Sequence, residues 1–395
     1  METYSPQKYY ITTFGCQANE ADSNTMAGIL EALGFERTDS MEESDIYIVN
    51  TCSVRQKSED KAYGIGKELK ELTDGGKETP FVVMAGCMVG SVTGERQRYA
   101  FEELKKRTPW VQEYINPHQI MNLPEILFKN GLISEWAIQK FNPEKVYGSQ
   151  KDNKHVFINI STGCDNFCAF CVVPYSRGAE KSRSKEEIIR EIQHYLLRGY
   201  TDFTLCAQNV NSWGLSMVDK FDIRSGSDQK LPFAELLREI HNLEGVEKID
   251  FLSSNPFDFT SDLIDVFKLP KISNYLHMAV QSGNNEVLKR MNRRHTIEDF
   301  YTLIERIRLA KPDLEIGTDI IVGFPGETEE EFLDTIKLFE KVKFNVAFIS
   351  IYSPRKGTPS EKHMNDDVPL SEKKSRHARL MKVWQETKSK QNYEN

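Results

Sequence analysis

Apolar runs and helical patterns alternate along the N-terminal third of the chain. Three short runs rich in β-branched and aromatic residues predict buried strands, and each is followed directly by Gly-Cys or Asn-Thr-Cys. These runs cover residues 9–14, 46–49 and 81–85, with helical patterns at 23–33 and 58–72 between them. Strand and helix alternating at this spacing predict a parallel α/β sheet with short right-handed crossovers.

The longer C-terminal part continues this alternation. Six strand-like runs and the helical patterns between them predict a partial parallel barrel of six units rather than eight. The runs lie at 155–160, 202–206, 247–252, 275–280, 315–322 and 346–351, and the helical patterns at 184–198, 233–242, 284–291, 297–310 and 328–342. We therefore expect an N-terminal α/β domain at 1–145, a barrel domain at 146–370 and a basic C-terminal helix or tail at 371–395.

Composition narrows the class of protein. The 395 residues are 39% apolar and 28% charged, as expected for a globular chain of two or three domains. No apolar run approaches the roughly 20 residues that span a bilayer, so we expect no membrane association. The net charge of −8 argues against a dedicated nucleic-acid module, although residues 371–395 are locally basic. The absence of a basic, apolar leader predicts the cytoplasm, where thiols stay reduced.

Three cysteines within eight residues are the most specific chemical signal. Cys164, Cys168 and Cys171 can hold three irons of a four-iron cluster and leave the fourth open to a ligand. A structural zinc site and a disulfide are the alternatives. Zinc requires four ligands in paired spacing, and the nearest histidines, His155 and His194, do not have that spacing. The pattern therefore favours an open iron–sulfur cluster.

Cys16, Cys52 and Cys87 each follow one of the three predicted N-terminal strands. Parallel strands end at the same edge of a sheet, so these side chains should converge on the crevice where such sheets bind ligands. A single buried cysteine is usually inert, but three at equivalent positions favour a second three-cysteine site. Cys206 lies within a predicted strand, where a small core residue is the expected role.

Polar and turn-forming residues follow the predicted barrel strands. Turn chemistry accounts for the Gly and Pro among them. The repeated Gln and Ser favour a cofactor pocket at the C-terminal face of the barrel. The candidate pocket residues are Gln208, Ser253, Ser254, Gln281 and Ser282.

The spacing of the three clustered cysteines resembles the signature of the radical S-adenosylmethionine (radical SAM) enzymes. Other segments resemble the methylthiotransferases within that group, among them Phe14-Gly-Cys-Gln-Ala-Asn-Glu20 and Asn50-Thr-Cys-Ser-Val-Arg55. The remaining segments are 85–88, 171–178, 208–211, 280–283, 290–294, 320–328 and 352–355. The resemblance extends over nearly the whole chain.

The resemblance implies two four-iron clusters and S-adenosylmethionine as cofactors. The open iron of the cluster on Cys164, Cys168 and Cys171 would bind the cofactor, and its cleavage would give a 5′-deoxyadenosyl radical. Phe170 would lie beside the adenine of the cofactor. Cys16, Cys52 and Cys87 would hold an auxiliary cluster that carries the sulfur to be inserted. Both clusters would have to reach one substrate cavity.

The segments after Cys16, Cys52 and Cys171 resemble the branch that acts on N6-isopentenyladenosine in tRNA. That branch implies methylthiolation of carbon 2 of this base next to the anticodon, with two S-adenosylmethionine molecules consumed. The expected partners are the tRNA anticodon stem-loop and a reducing donor such as flavodoxin or ferredoxin, with the enzyme a monomer. Sister branches acting on threonylcarbamoyl adenosine or a ribosomal-protein aspartate remain alternatives, as does a non-catalytic iron–sulfur protein that binds RNA or carries electrons.

Two features concern RNA binding. Family members usually continue into a small C-terminal RNA-binding β-barrel domain, which we expect this chain to lack. Phosphate contacts are therefore expected from basic residues of the barrel domain, with ordinary solvated charges as the alternative. The candidates are Lys181, Arg183, Arg290, Arg293 and Arg294.

Overall fold

The computed structural model describes residues 7–54, 56–149 and 154–394, and their side chains as far as residue 388. Arg55, which belongs to one of the motifs above, lies outside the described residues, as do residues 150–153. The chain forms two compact units. The first consists of Met1–Asn153, Thr162–Asp165 and Val172–Glu180, and the second of Lys154–Ser161, Asn166–Cys171 and Lys181–Asn395.

A five-stranded parallel sheet forms the centre of the first unit and confirms the predicted N-terminal α/β fold. Its strands are β1 (Lys8–Thr13), β2 (Glu36–Arg37), β3 (Ile46–Thr51), β4 (Phe81–Gly86) and β5 (Glu113–Ile115), in the spatial order β2-β1-β3-β4-β5. The helices are α1 (Gln17–Ala32), α2 (Gln56–Asp74), α3 (Cys87–Thr93), α4 (Phe101–Arg107), α5 (Leu123–Lys129), α6 (Glu135–Lys140) and α7 (Val173–Ser176).

Two apolar clusters hold this sheet between its helices. One includes Ile11, Ile48 and Leu30, and the other includes Val49 and Met84. All six residues of β3 are buried, as expected for a central parallel strand covered on both faces. The short strands β2 and β5 were not predicted, because two or three residues carry too little pattern to detect.

The second unit contains six successive parallel strands, which confirms the predicted partial barrel. Two three-stranded sheets, β10-β9-β6 and β11-β12-β13, are linked by the parallel bridge between Ser254 and Met278. The strands are β6 (His155–Asn159), β9 (Asp202–Cys206), β10 (Lys248–Phe251), β11 (Tyr275–His277), β12 (Glu315–Val322) and β13 (Val346–Ile351), and the two-residue strands β7 (Ser161–Thr162) and β8 (Lys181–Ser182) lie between β6 and β9 in the chain.

Helices alternate with these strands, and several begin at strong N-terminal caps. Ser184, Thr296 and Thr328 each form a reciprocal capping box with the acidic residue three positions later. The helices are α8 (Lys185–Leu196), α9 (Met217–Arg224), α10 (Pro232–Asn242), α11 (Ser261–Val266), α12 (Asn285–Arg290), α13 (Ile297–Ala310), α14 (Glu329–Val342), α15 (Pro359–His363) and α16 (Leu370–Glu394). Within the described residues, none of the helices has the length and apolar character required to cross a membrane.

Candidate active site

Three cysteines lie at the carboxyl edge of the sheet in the first unit, and we call Cys16, Cys52 and Cys87 the first cysteine site. Cys52 follows the last residue of β3 and Cys87 follows the last residue of β4. Those two last residues, Thr51 and Gly86, are register partners, so the two cysteines leave neighbouring strands side by side. Cys16 directly precedes α1 and is exposed, whereas Cys52 and Cys87 are buried.

A buried polar network supports this edge. Asn50 donates to the carbonyl of Asn19 and to the hydroxyl of Ser23, each at 2.8 Å, and Asn19 donates to the carbonyl of Thr51 at 3.0 Å. Gly86 has a φ of 94°, and a Cβ there would lie 2.3 Å from Oδ1 of Asn50. The strand end therefore requires glycine, because the backbone approaches the network too closely for any side chain.

A buried arginine completes the site. Arg177 is 1% exposed, and its Nη2 lies 2.6 Å from Oδ2 of Asp22, which is also buried. Nε2 of His118 lies 2.6 Å from the carbonyl oxygen of Arg177 and fixes the backbone there. Sequence reasoning missed this residue. Arg177 belongs to the segment 172–180, which follows the clustered cysteines in the chain but packs within the first unit.

Arg177 also interacts with the cysteines. Burial raises the pKa of the Cys87 thiol, and the nearby guanidinium of Arg177 opposes this rise. Burial disfavours the charged form of Arg177, but Asp22, Cys87 and Cys16 together hold its pKa above the ordinary value. The site therefore contains a guanidinium, paired with Asp22, close to the Cys87 thiol.

A single metal ion and a four-iron cluster place different geometric demands on three thiolates. Among the described residues, no three His, Cys, Asp or Glu side chains are grouped closely enough to hold one metal ion. A single zinc draws its thiolates to about 2.3 Å from one centre. In a four-iron cluster each thiolate binds its own iron, so the sulfur atoms stand farther apart.

Residues 164–171, which we call the triple-cysteine loop, keep their cysteines largely protected from solvent. Cys164 is 7% exposed and Cys168 is 9% exposed, and Cys171 is half-buried. A turn brings the amide of Cys171 within 2.9 Å of the carbonyl of Cys168. Nη1 of Arg293 donates to Sγ of Cys168 at 3.3 Å. Cys164 belongs to the first unit, and Cys168 and Cys171 belong to the second.

The second half of this loop is anchored on the second unit. Ala169 donates to the carbonyl of Met291 at 3.0 Å and accepts from the amide of Ser360 at 2.9 Å. Phe170 packs against an apolar cluster that includes Ala169, Met291 and Phe324, and its ring lies edge-on to that of Phe324 with centroids 6.3 Å apart. The aromatic side chain that we expect beside the cofactor adenine is therefore held in place by core residues.

Polar groups without partners mark the predicted cofactor pocket. Oγ of Ser254 and Oε1 of Gln281 are buried and have no hydrogen-bond partner within the part of the chain that the structure describes. Ser253 and Gln281 have φ angles of 68° and 77°, a strained region for side chains other than glycine, which proteins tend to reserve for functional sites. Ser282 is buried and Gln208 is half-buried. These strand ends therefore fit a polar ligand such as S-adenosylmethionine.

The five basic residues predicted to contact RNA have different surroundings. Arg183 pairs with Glu191 at 2.6 Å, and Arg290 makes a bidentate pair with Glu331 at 3.0 and 2.6 Å. Arg293 contacts Cys168, as described above. Lys181 and Arg294 are exposed. The three arginines that form internal contacts have some of their donors already engaged, whereas Lys181 and Arg294 face solvent.

Comparisons with known proteins agree with these observations. The Radical SAM superfamily matches residues 158–339, and the Uncharacterized protein family UPF0004 matches residues 8–112. The tRNA-2-methylthio-N(6)-dimethylallyladenosine synthase of Clostridium novyi is 37% identical over 98% of this chain and 83% of its own length. The synthase of the same name from Thermotoga petrophila is 41% identical over 95% of this chain and 81% of its own length.

The chain belongs to the tRNA-2-methylthio-N(6)-dimethylallyladenosine synthase family. It is therefore a radical SAM enzyme, and the family implies a four-iron cluster and S-adenosylmethionine. Solved structures support the fold. The radical SAM methyltransferase TsrM from Kitasatospora setae matches with a TM-score of 0.61 at 14% identity, over 90% of this chain and 75% of that one. The radical SAM enzyme OxsB matches with a TM-score of 0.55 at 11% identity, over 97% of this chain and 56% of that one.

Proposed function

We propose that this protein adds a methylthio group to carbon 2 of N6-isopentenyladenosine next to the anticodon of tRNA. The observation that carries the proposal is that synthases with this activity in their name match 95–98% of the chain. The relatives reported above carry the name of the isopentenyl branch, which favours it over the two sister branches. The alternative of a non-catalytic iron–sulfur protein is disfavoured because the chain belongs to an enzyme family.

The first cysteine site would hold the second four-iron cluster in this proposal. Its support is the position of Cys16, Cys52 and Cys87 at one sheet edge, with a buried polar network and Arg177 beside them. Replacing an aromatic hydrogen with sulfur is beyond general acid–base catalysis, because the carbon–hydrogen bond has neither an acidic proton nor a leaving group. Radical chemistry is what the bound clusters and S-adenosylmethionine supply.

The chain itself has to bind, orient and shield the reactants. Ser254 and Gln281 offer buried oxygen atoms to the cofactor, and Phe170 offers a fixed aromatic surface. The target base must leave the anticodon stack, which costs a few kcal/mol in a flexible loop. Exposed Lys181 and Arg294 are the candidates for phosphate contacts. Replacing both with Ala should weaken tRNA binding and reduce the slope of its salt dependence by about two, one for each lost contact.

The decisive experiment is mass spectrometry of tRNA nucleosides after expression in a host that lacks methylthiolation. We expect the 2-methylthio isopentenyl nucleoside to appear with the wild-type chain and to be absent with Cys164→Ala. Appearance of the methylthio threonylcarbamoyl nucleoside instead would assign the protein to the sister branch. No new nucleoside, together with cofactor cleavage by the reduced protein, would refute a tRNA substrate.

The remaining parts of the proposal concern the setting of the reaction. We place the enzyme in the cytoplasm as a monomer that receives electrons from a donor such as flavodoxin or ferredoxin. Reconstitution of turnover with either donor, and the mass of the protein in solution, test these points directly.

A further inference from the structure

Arg293 is half-buried in the second unit and makes three directed contacts. Its Nη1 donates to Sγ of Cys168 at 3.3 Å, and its Nη2 donates to Oδ1 of Asn255 at 2.8 Å and to the carbonyl of Ala279 at 2.6 Å. The guanidinium also lies over the ring of Phe257, 5.2 Å from its centroid. These contacts come from three separate parts of the barrel, and together they fix the orientation of the planar guanidinium group of Arg293.

The charge of Arg293 is not neutralised by a carboxylate. Its hydrogen-bond acceptors are a thiol, an amide and a backbone carbonyl, and no described carboxylate pairs with it. Arg224 is a useful contrast. It contacts the same Phe257 ring but makes a bidentate pair with Asp258 at 2.8 and 2.9 Å. Of the two cations on this ring, Arg293 is therefore the one that leaves net positive charge beside Cys168.

A further donor of the same side chain is available. Nε of Arg293 is buried and has no hydrogen-bond partner among the described residues. A buried N–H without a partner costs free energy unless a ligand satisfies it.

We propose that Arg293 is a positioning residue of the iron–sulfur cluster on the triple-cysteine loop and that it raises the reduction potential of this cluster. Reduction adds negative charge to the cluster, and a nearby cation that donates to a cluster sulfur stabilises the reduced form more than the oxidised form. This role replaces the phosphate contact expected of Arg293 from the sequence. The inference depends only on the radical SAM cluster and is independent of which RNA base is modified.

The test is a redox titration of the cluster by electron paramagnetic resonance. The full chain carries Ala in place of Cys16, Cys52 and Cys87, so that the signal belongs to one cluster. In Arg293→Gln we expect the ratio of reduced to oxidised cluster at a fixed solution potential to fall tenfold. This corresponds to a reduction potential lower by about 59 mV for a one-electron couple. Arg293→Lys keeps the charge but loses the planar guanidinium, so the reduction potential of this variant should lie between those of Arg293→Gln and the wild type.

Arg294→Gln is the matched control, because it removes the same charge one residue away at an exposed position. Its potential should equal that of the wild type. A potential for Arg293→Gln equal to that of Arg294→Gln would overturn the proposal. Because Arg293→Gln could fail to assemble a cluster, a second measurement uses the wild-type side chain with ¹⁵N-labelled arginine. The reduced cluster should show hyperfine coupling to this label, and the coupling should vanish in Arg293→Lys. A wild-type spectrum without the coupling would equally refute the contact.

Discussion

Removing Asp22 should destabilise the first unit far more than loss of a surface carboxylate. The side chains of Arg177 and Asp22 are 2% and 6% exposed, and their charged atoms are 2.6 Å apart. Asp22→Ala leaves the guanidinium of Arg177 buried without its counter-ion. Breaking a buried pair from one side costs about 3–5 kcal/mol, because the remaining charge can neither pair nor hydrate. The guanidinium cannot escape this cost by losing its proton, since arginine stays charged.

Hydrogen exchange of the metal-free protein, followed by mass spectrometry, measures this loss where it occurs. The opening free energy of β1, β3 and β4 should fall by about 3–5 kcal/mol in Asp22→Ala. Strand β12 of the second unit serves as the internal reference. Glu71→Ala is the matched control, since it breaks the pair between Lys67 and Glu71, whose side chains are 84% and 67% exposed. This control should cost less than about 1 kcal/mol.

Two outcomes bear on the reasoning. If Asp22→Ala costs no more than Glu71→Ala, the buried pair does not support the first cysteine site, and our account of it is wrong. Replacing both partners, as in Asp22→Ala with Arg177→Met, should recover much of the loss, because no uncompensated charge is then left behind. Equal losses in the single and double variants would show that packing, rather than charge, dominates.

Two further predictions concern stability. Gly64→Ala should stabilise α2 by about 0.5–1 kcal/mol, since a Cβ there meets nothing within 4 Å. Gly66→Ala should destabilise the same helix, because its Cβ would lie 2.3 Å from Nε1 of Trp110. Thermal unfolding of both variants checks that the two effects have opposite signs. Burial lowers the pKa of His295 to about 3, so between about pH 6.5 and 3 the unfolded chain binds the extra proton and stability should fall with falling pH by about 1.4 kcal/mol per unit. His295→Phe should remove this component of the pH dependence in denaturant unfolding, and an unchanged slope would contradict the assignment.

The parts of the fold that follow from local pattern could be predicted from the sequence. β3 and β4 are apolar runs because both of their faces are covered, and the helices of the second unit begin at recognisable capping residues. The beginning of α1 could not be predicted from periodicity. It starts at Gln17, six residues earlier than the pattern indicates, because Asn19 and Asp22 are buried polar residues that face the first cysteine site. A functional site thus interrupts the apolar period.

The two arginines at the cysteine sites could not be found from the sequence for a different reason. Arg177 and Asp22 are 155 residues apart, and Arg293 and Cys168 are 125 residues apart, so their proximity is tertiary. From the sequence, Arg293 could be interpreted only as a phosphate contact or as an ordinary solvated charge. The spacing of cysteines along the chain indicates a metal site even when the fold is unknown. The position of a charge near those cysteines can be seen only in the folded structure.

The two arginines contribute different net charges to the two cysteine sites. Arg177 is neutralised by Asp22, so the pair contributes directed N–H donors but little net charge to the first cysteine site. Among the described residues, Arg293 has only neutral acceptors, and it adds a positive charge beside Cys168. A reduced cluster carries more negative charge than an oxidised one, so an unpaired cation favours a site that must accept an electron. The triple-cysteine loop would hold the cluster that has to accept an electron in a radical SAM enzyme, and within the described residues it is the site that has the unpaired cation.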